Sequence, residues 1–471
     1  MPARFALALL ATLTALAPAA AQDARPRVGL ALSGGGARGL AHVGALQELE
    51  RMRVPVDLVT GTSMGAIVGG LWASGLPADS IAARIAAADW AALLDDAPPR
   101  ASLDYRHRAA ERRYGLELEV GVADGELRLP GGLVSGQEVG LLLRRFLFPV
   151  LAVEEFDRLP ISFAAVATDY EHGQPVVLTR GDPADAIRAS MAIPLVFTPV
   201  RIDDLLLVDG GLVNNLPVDV AIDRGAGATI AVDVTPPLET GEEVGTFFGA
   251  LDQLADFIGR AGVDEHRALA DVAIVPDLEG FGLFDFEDAD TIVARGAEAA
   301  RAAAADLSPF AVDPAAYAAW RASLRPAPLP ARVAAIEVRG PGWLDDRRVR
   351  GRIDLAPESP LTVDALERAA RDAYSIGEFE RVDYDIELRE DRAVAVLRPV
   401  APPWGPHSIR FGTRLITDSG GADLRTGLVT FTVRAAWRRA RLTPRGGELW
   451  VEGAAGQETG LSARLRQPLD W

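Results

Sequence analysis

Cysteine is absent from all 471 residues, which excludes disulfides, thiolate nucleophiles and cysteine-ligated metals. Lysine is absent too, since all 48 basic residues are arginine, and a phosphate-cradling P-loop requires a lysine. Histidine occurs five times, at His42, His107, His172, His266 and His407. That leaves few candidates for a histidine base and no visible cluster of metal ligands. No apolar run reaches the roughly 18 residues that a membrane-spanning helix needs. Positive charge is in deficit: 66 acidic residues give a net charge of −18, which argues against nucleic acid as a partner.

Apolar residues are plentiful, at 49% of the total, and the length suits two to four domains with sizeable cores. The N-terminus combines Arg4, an apolar run over 5–16 and small residues over 17–21. This is the pattern of a cleaved secretory signal peptide at residues 1–21, and it predicts export.

The strand-like run 27–32 leads into Ser33-Gly34-Gly35-Gly36-Ala37-Arg38-Gly39, after which Leu40, Val43, Leu46 and Leu49 mark one face of a helix. A glycine turn at a helix N-terminus offers backbone N–H groups to an anion, either a phosphate or the oxyanion of acyl transfer. A dinucleotide fingerprint has spaced glycines, whereas these are consecutive. Ser63 lies 27 residues beyond Gly36 (63 − 36), room for one helix and one strand that return the chain to the same edge of a parallel sheet. There stands Gly61-Thr62-Ser63-Met64-Gly65, a Gly-x-Ser-x-Gly elbow between the apolar run 54–59 and the helix-like run 66–72. The elbow puts the Ser63 hydroxyl on a tight strand-to-helix turn, with Gly61 and Gly65 permitting the close backbone. A later strand, 205–208, ends in Asp209-Gly210-Gly211, an acid on a tight turn at a sheet edge.

Between these motifs the sequence reads as Ala-rich helix to about 94, a hairpin over 114–129 and an apolar helix over 139–148 that reads as core, with cover for an acyl-chain pocket as the alternative. Strands follow at 161–169 and 176–178, then at 228–234 and 272–275, before Ala-rich helices near 294–306. Phe281, Phe284 and Phe286 read as core packing, with contact to a membrane near the site as the alternative.

Taken in order, the glycine turn, the serine elbow and Asp209-Gly210-Gly211, with Arg188-Ala189-Ser190 and Ile193-Pro194 ahead of the aspartate, resemble the patatin-like phospholipase family over about residues 27–310. The resemblance implies an α/β fold, a three-layer sandwich around a mainly parallel central sheet. It also implies a lipid acyl hydrolase of the phospholipase A type that cleaves glycerophospholipid esters through a Ser-Asp dyad. Ser63 is then the nucleophile, Asp209 the general base, and the N–H groups of Gly34, Gly35, Gly36 and Ala37 the oxyanion hole. Gly61, Gly65, Gly210 and Gly211 shape the turns, and Arg38 fixes the glycine loop or meets a lipid phosphate. No metal or other cofactor is implied, and the expected partners are a phospholipid substrate and a membrane surface. Two readings compete: a Ser-Asp-His esterase using His266, on an exposed helical segment, and an inactive hydrolase fold that serves as a lipid- or protein-binding module.

Pro326, Pro328 and Pro330 mark a linker, dividing a hydrolase domain at 22–325 from a second domain at 326–402 and a tail at 403–471. The strand-helix-helix-strand-strand order over 333–399 resembles a POTRA domain. From Ser408 onward, alternating segments resemble strands of an outer-membrane β-barrel. Together these units resemble the patatin class of type V secretion, which implies an outer-membrane, cell-surface or secreted location and contact with the outer-membrane assembly machinery. Roughly four strands cannot close a barrel when about eight is the usual minimum, so the tail is expected to be a truncated barrel or to pair with other copies.

Overall fold

The structure, a computed structural model, describes residues 25–96, 116–123, 125–129, 131–235, 253–254, 257–418, 428–456 and 459–468. The signal-like segment 1–21 lies outside the described residues. Along the chain, β1 (Val28–Leu32) is followed by the glycine turn and α1 (Ala41–Met52), and β2 (Leu58–Thr62) by α2 (Met64–Ala73). A hairpin of β3 (Leu116–Ala123) and β4 (Glu126–Arg128) precedes β5 (Gly132–Val134), α3 (Gln137–Leu147), β6 (Ser162–Asp169), β7 (Gln174–Leu178) and α4 (Pro183–Ser190). The domain continues through β8 (Leu195–Phe197), β9 (Val200–Ile202), β10 (Leu205–Asp209), β11 (Ala228–Val232), β12 (Val272–Ile274) and α5 (Ala289–Ala302).

The main sheet has the order β12-β11-β1-β2-β6-β10-β9, with β7 also on β6. β1, β2, β6 and β11 are buried at every residue, as their continuous apolar and small-residue runs require when both faces are covered. The sheet is mixed rather than mainly parallel. β12 through β6 run parallel, but β7 and β10 pair antiparallel with β6, and β9 pairs antiparallel with β10. Their links, residues 170–173 between β6 and β7 and 203–204 between β9 and β10, are hairpin-length and too short for the crossover that parallel pairing needs.

This mixture positions the site. β6 outruns β2: Thr62 at the end of β2 pairs with Val166, leaving Ala167, Thr168 and Asp169 beyond it. β10 descends antiparallel along that overhang, with Leu207 on Asp169 and Asp209 on Ala167. The last residue of β10 therefore stops beside the first residue after β2.

The second unit comprises β13 (Val333–Val338), α6 (Val363–Tyr374), β14 (Arg381–Arg389) and β15 (Arg392–Val400). Its sheet order is β13-β15-β14, with β13 parallel to β15. The tight β14–β15 hairpin turns on Glu390 and Asp391, both at positive φ (51° and 60°), the twist that two-residue hairpin loops favour. Thr362 caps α6 by accepting the Ala365 N–H. With the short helix Asp346–Arg350 between β13 and α6, the strand-helix-helix-strand-strand order read from the sequence is present.

The tail supplies four antiparallel strands, β16 (His407–Asp418), β17 (Leu428–Arg439), β18 (Glu448–Gly456) and β19 (Gly460–Arg466). They do not stand alone. β3 of the first domain pairs with β16, giving a six-stranded sheet with β19 and β4 at its edges. One face carries the ion pairs Arg410–Glu119, Arg434–Glu452 and Arg438–Glu448, whereas Phe411, Val433, Leu461 and Leu465 are exposed at the alternate positions that face the other way.

Candidate active site

Ser63 sits between β2 and α2 at φ 54° and ψ −120°, a conformation that costs a non-glycine residue energy. The surroundings hold it there. The Ser63 N–H donates to Ser190 Oγ at 2.9 Å, and the Ser190 hydroxyl donates in turn to the Val166 carbonyl at 2.6 Å. The Ser63 carbonyl accepts from the Ala66 and Ile67 N–H groups. Gly65 lies so close to β1 that a Cβ there would strike the Leu32 carbonyl, which explains the second glycine of the elbow.

Asp209 is anchored through its backbone: its N–H donates to the Ala192 carbonyl at 2.9 Å and its carbonyl accepts from Thr168 Oγ1 at 2.7 Å. The next turn is tied to β2 by Thr62 Oγ1 on the Asn214 carbonyl and Thr60 Oγ1 on the Pro217 carbonyl, both 2.8 Å. Asp209 Oδ1 accepts the Gly211 N–H at 2.7 Å. Oδ2 is buried without a partner of hydrogen-bond geometry among the described residues. Burial pushes the carboxyl up to about 6, although the nearby Ser63 hydroxyl and the Gly211 N–H favour its charged form.

The glycine loop corrects one expectation. Of the four N–H groups assigned to an oxyanion, two are already committed: Gly34 donates to the Asn215 carbonyl at 3.1 Å and Ala37 to the Leu283 carbonyl at 2.9 Å. Gly34 still runs alongside the loop after Asp209, and the tight helical turn Gly36–Leu40 swings Ala37 toward the 278–286 segment. Gly35 and Gly36 have no backbone acceptor among the described residues. Gly36 has φ 54°, and a Cβ there would collide with Leu283. Arg38 is 1% exposed, with Nε and Nη1 each 3.4 Å from the carbonyls of Gly35 and Phe281. Of the two roles anticipated for it, bracing the loop is the one its contacts display.

Two cavities meet at Ser63. One is lined by Gly35, Gly36, Arg38, Asp209 and Asn215 together with Ile193 and Leu283. The other encloses about 780 Å³, counting space open to solvent, and its walls are apolar. The core reading and the pocket reading of α3 both hold: Val139, Leu142, Leu143 and Phe146 pack in or against the hydrophobic core and also line this cavity, as do Phe284 and Phe286. Trp90 stacks on Phe286 with ring centroids 4.3 Å apart and lines it as well. Ser190 and Asn215 were not anticipated as site residues. Ser190 falls inside Arg188-Ala189-Ser190, so its presence was visible in the sequence but its bond to Ser63 was not.

No histidine lines either cavity among the described residues. His42 is buried, with Nε2 2.8 Å from the Ser33 carbonyl, and burial pulls it down to about 4. His266 is half-buried rather than exposed, with Nδ1 3.1 Å from the Leu216 carbonyl.

Residues 30–222 match the Patatin family model, described as patatin-like phospholipase. This segment is a patatin-like phospholipase domain. An uncharacterized NTE family protein of Mycobacterium tuberculosis is 33% identical over 309 residues, covering 59% of this chain and 46% of that protein. The lysophospholipase NTE1 of Scheffersomyces stipitis is 30% identical over 261 residues, 54% of this chain and 15% of that protein. The crystal structure of VipD from Legionella pneumophila aligns over 61% of this chain and 68% of VipD, at 18% identity and a TM-score of 0.36. The chain spans about half the length of the first curated relatives it matches. Ser63, Asp209 and both committed glycine-loop amides fall inside the patatin-like domain, whereas the cavity wall from Phe284 and Phe286 comes from beyond the matched segment.

Proposed function

We propose that the chain is a serine lipid acyl hydrolase of the phospholipase A type. The observation that carries this reading is the meeting at Ser63 of a buried carboxylate oxygen and two glycine amides, none with a hydrogen-bond partner among the described residues, and an apolar cavity. Ser63 Oγ attacks the ester carbonyl while Asp209 Oδ2 takes its proton. The N–H groups of Gly35 and Gly36 receive the oxyanion. Collapse of the tetrahedral adduct expels the alcohol, which takes the proton back from Asp209, and leaves the acyl chain on Ser63. Water, deprotonated by the same carboxylate, then frees the acid. A carboxylate base suits this task because its raised affinity for a proton brings it toward neutral pH. His266 faces the Leu216 carbonyl and lines neither cavity among the described residues, which supports a dyad over the triad that would use it. Labelling by a fluorophosphonate probe tests the reading: it should occur in the folded wild type and vanish in Ser63→Ala, and a folded wild type that resists labelling is instead the binding module.

The same proposal extends to location. The signal-like N-terminus, the POTRA-like unit and the two-faced sheet support a chain exported to the outer membrane, with the apolar face of β16–β19 toward lipid. Recovery of the full chain in outer-membrane fractions, resistant to carbonate extraction, is the expected result. Recovery in the soluble fraction would refute it.

A further inference from the structure

α3 has two faces, and they belong to different parts of the molecule. Val139, Leu142, Leu143 and Phe146 line the apolar cavity beside Ser63. The opposite face is held by the second unit. Gln137, fully buried, exchanges two bonds with the backbone of Val382 on β14, accepting its N–H at 2.6 Å and donating to its carbonyl at 3.1 Å. Arg144, 1% exposed, donates through Nε to the Tyr384 carbonyl at 2.7 Å and through Nη2 to Asp182 at 2.8 Å and Asp185 at 2.5 Å. Glu138 pairs with Arg371 of α6 at 2.6 Å, and Arg145 with Glu367 at 2.8 Å.

The carboxylates under Arg144 carry the link to α4. Asp182 caps that helix, its Oδ1 accepting the Ala184 N–H at 2.8 Å, and it also receives Arg398 of β15 at 2.5 Å, as Asp185 does at 2.9 Å. α4 ends at Ser190, which holds the Ser63 N–H. The second unit thus grips, through one buried cluster, the helix that walls the cavity and the helix that steadies the elbow. A planar guanidinium fork on carboxylates admits few geometries, so the cluster fixes the spacing of the two helices.

We infer that the β13–β15 unit sets the acyl-chain selectivity of the cavity at Ser63, with Arg144 and Arg398 as the positioning residues. This rests on the hydrolase reading for its substrate. Gly36, Ser63, Ile193 and Leu283 line both cavities, so a short acyl group fits at their junction, whereas a long one runs on along α3. Loosening α3 therefore penalises long chains more than short ones.

The test uses the full chain and its Arg144→Met and Arg398→Gln variants, assayed on p-nitrophenyl butyrate and dodecanoate, with near-UV circular dichroism as the folding check. The expected result is that kcat/KM for dodecanoate falls about tenfold or more while that for butyrate falls less than about threefold, and that Arg144→Lys recovers part of the ratio. An equal fall on both esters, or an unchanged ratio in a folded variant, overturns the proposal. Arg398, on the rim of the cluster at 29% side-chain exposure, serves where Arg144→Met does not fold. Binding of a dansyl-labelled dodecanoic acid in a Ser63→Ala background separates the two readings. If the wild type cleaves neither ester, the hydrolase reading fails. Weakening of this binding by about tenfold in Arg398→Gln still upholds the clamp, and unchanged binding refutes it.

Discussion

The hydroxyl of Ser190 bridges the Ser63 N–H, 2.9 Å away, and the Val166 carbonyl, 2.6 Å away, so the strained elbow is pinned to the central strand of its own sheet. Ser190→Ala leaves a buried N–H without an acceptor, a cost of about 1–3 kcal/mol. Because the bond fixes the backbone of the proposed nucleophile, much of that cost should appear in the reaction. The expected outcome is a fluorophosphonate labelling rate reduced by about tenfold or more, with KM changed little.

The Asp209 carboxyl, raised to about 6, has to be charged to accept a proton. The kcat/KM profile should therefore climb about tenfold per pH unit below pH 6 and level off above it. A profile whose rise is centred near pH 4 would mean that the base is some other, solvated carboxylate.

Stability should move the opposite way. A folded pKa raised above the ordinary aspartate value of 3.8 means that the folded state holds the proton more tightly, so the contribution to stability is full below about pH 4 and lost as pH rises through 6. Asp209→Asn removes that loss. At pH 7.5 the variant should unfold at higher urea, by about 2–3 kcal/mol at most, while turnover drops by about 10²–10⁴. At pH 4 the two proteins should have similar stability.

Gly36→Ala should be far more damaging than its single methyl group suggests. It forces φ 54° on an L-residue and drives Cβ into Leu283, displacing an amide assigned to the oxyanion. Loss of one such donor costs about 3 kcal/mol, so kcat should fall by about a hundredfold or more, measured by stopped-flow acylation with folding checked by circular dichroism.

Filling the cavity from α3 should shorten the preferred chain. Leu142→Trp adds bulk on the apolar wall without touching Ser63. The expected outcome is long-chain ester cleavage lowered about tenfold relative to butyrate, read from the ratio of kcat/KM values.

Much of this was legible in the residues. Continuous apolar runs gave β1, β2 and β6, and the elbow and the glycine turn declared their own backbone needs through Gly36 and Gly65. The short loops around 170–173 and 203–204 contained the signal for a mixed sheet, but parallel strands alternating with helices were the stronger pattern. α3 reads as core because Leu142 and Phe146 look the same whether their neighbour is another side chain or a cavity. The commitment of the Gly34 and Ala37 amides was not readable at all, since their acceptors, Asn215 and Leu283, lie 181 (215 − 34) and 246 (283 − 37) residues away.

The antiparallel descent of β10 along the overhang of β6 bears on timing. Ser63 and Asp209 are 146 residues apart (209 − 63), and nothing local brings them together. Their pairing depends on β6 being seated against β2 and on β10 meeting β6 in register, where a slip of one residue would turn Asp209 to the opposite face. Because such non-local pairings form late, a nascent or unfolded chain carries a serine with no base. On the proposed mechanism, acyl hydrolysis could begin only once the sheet is complete.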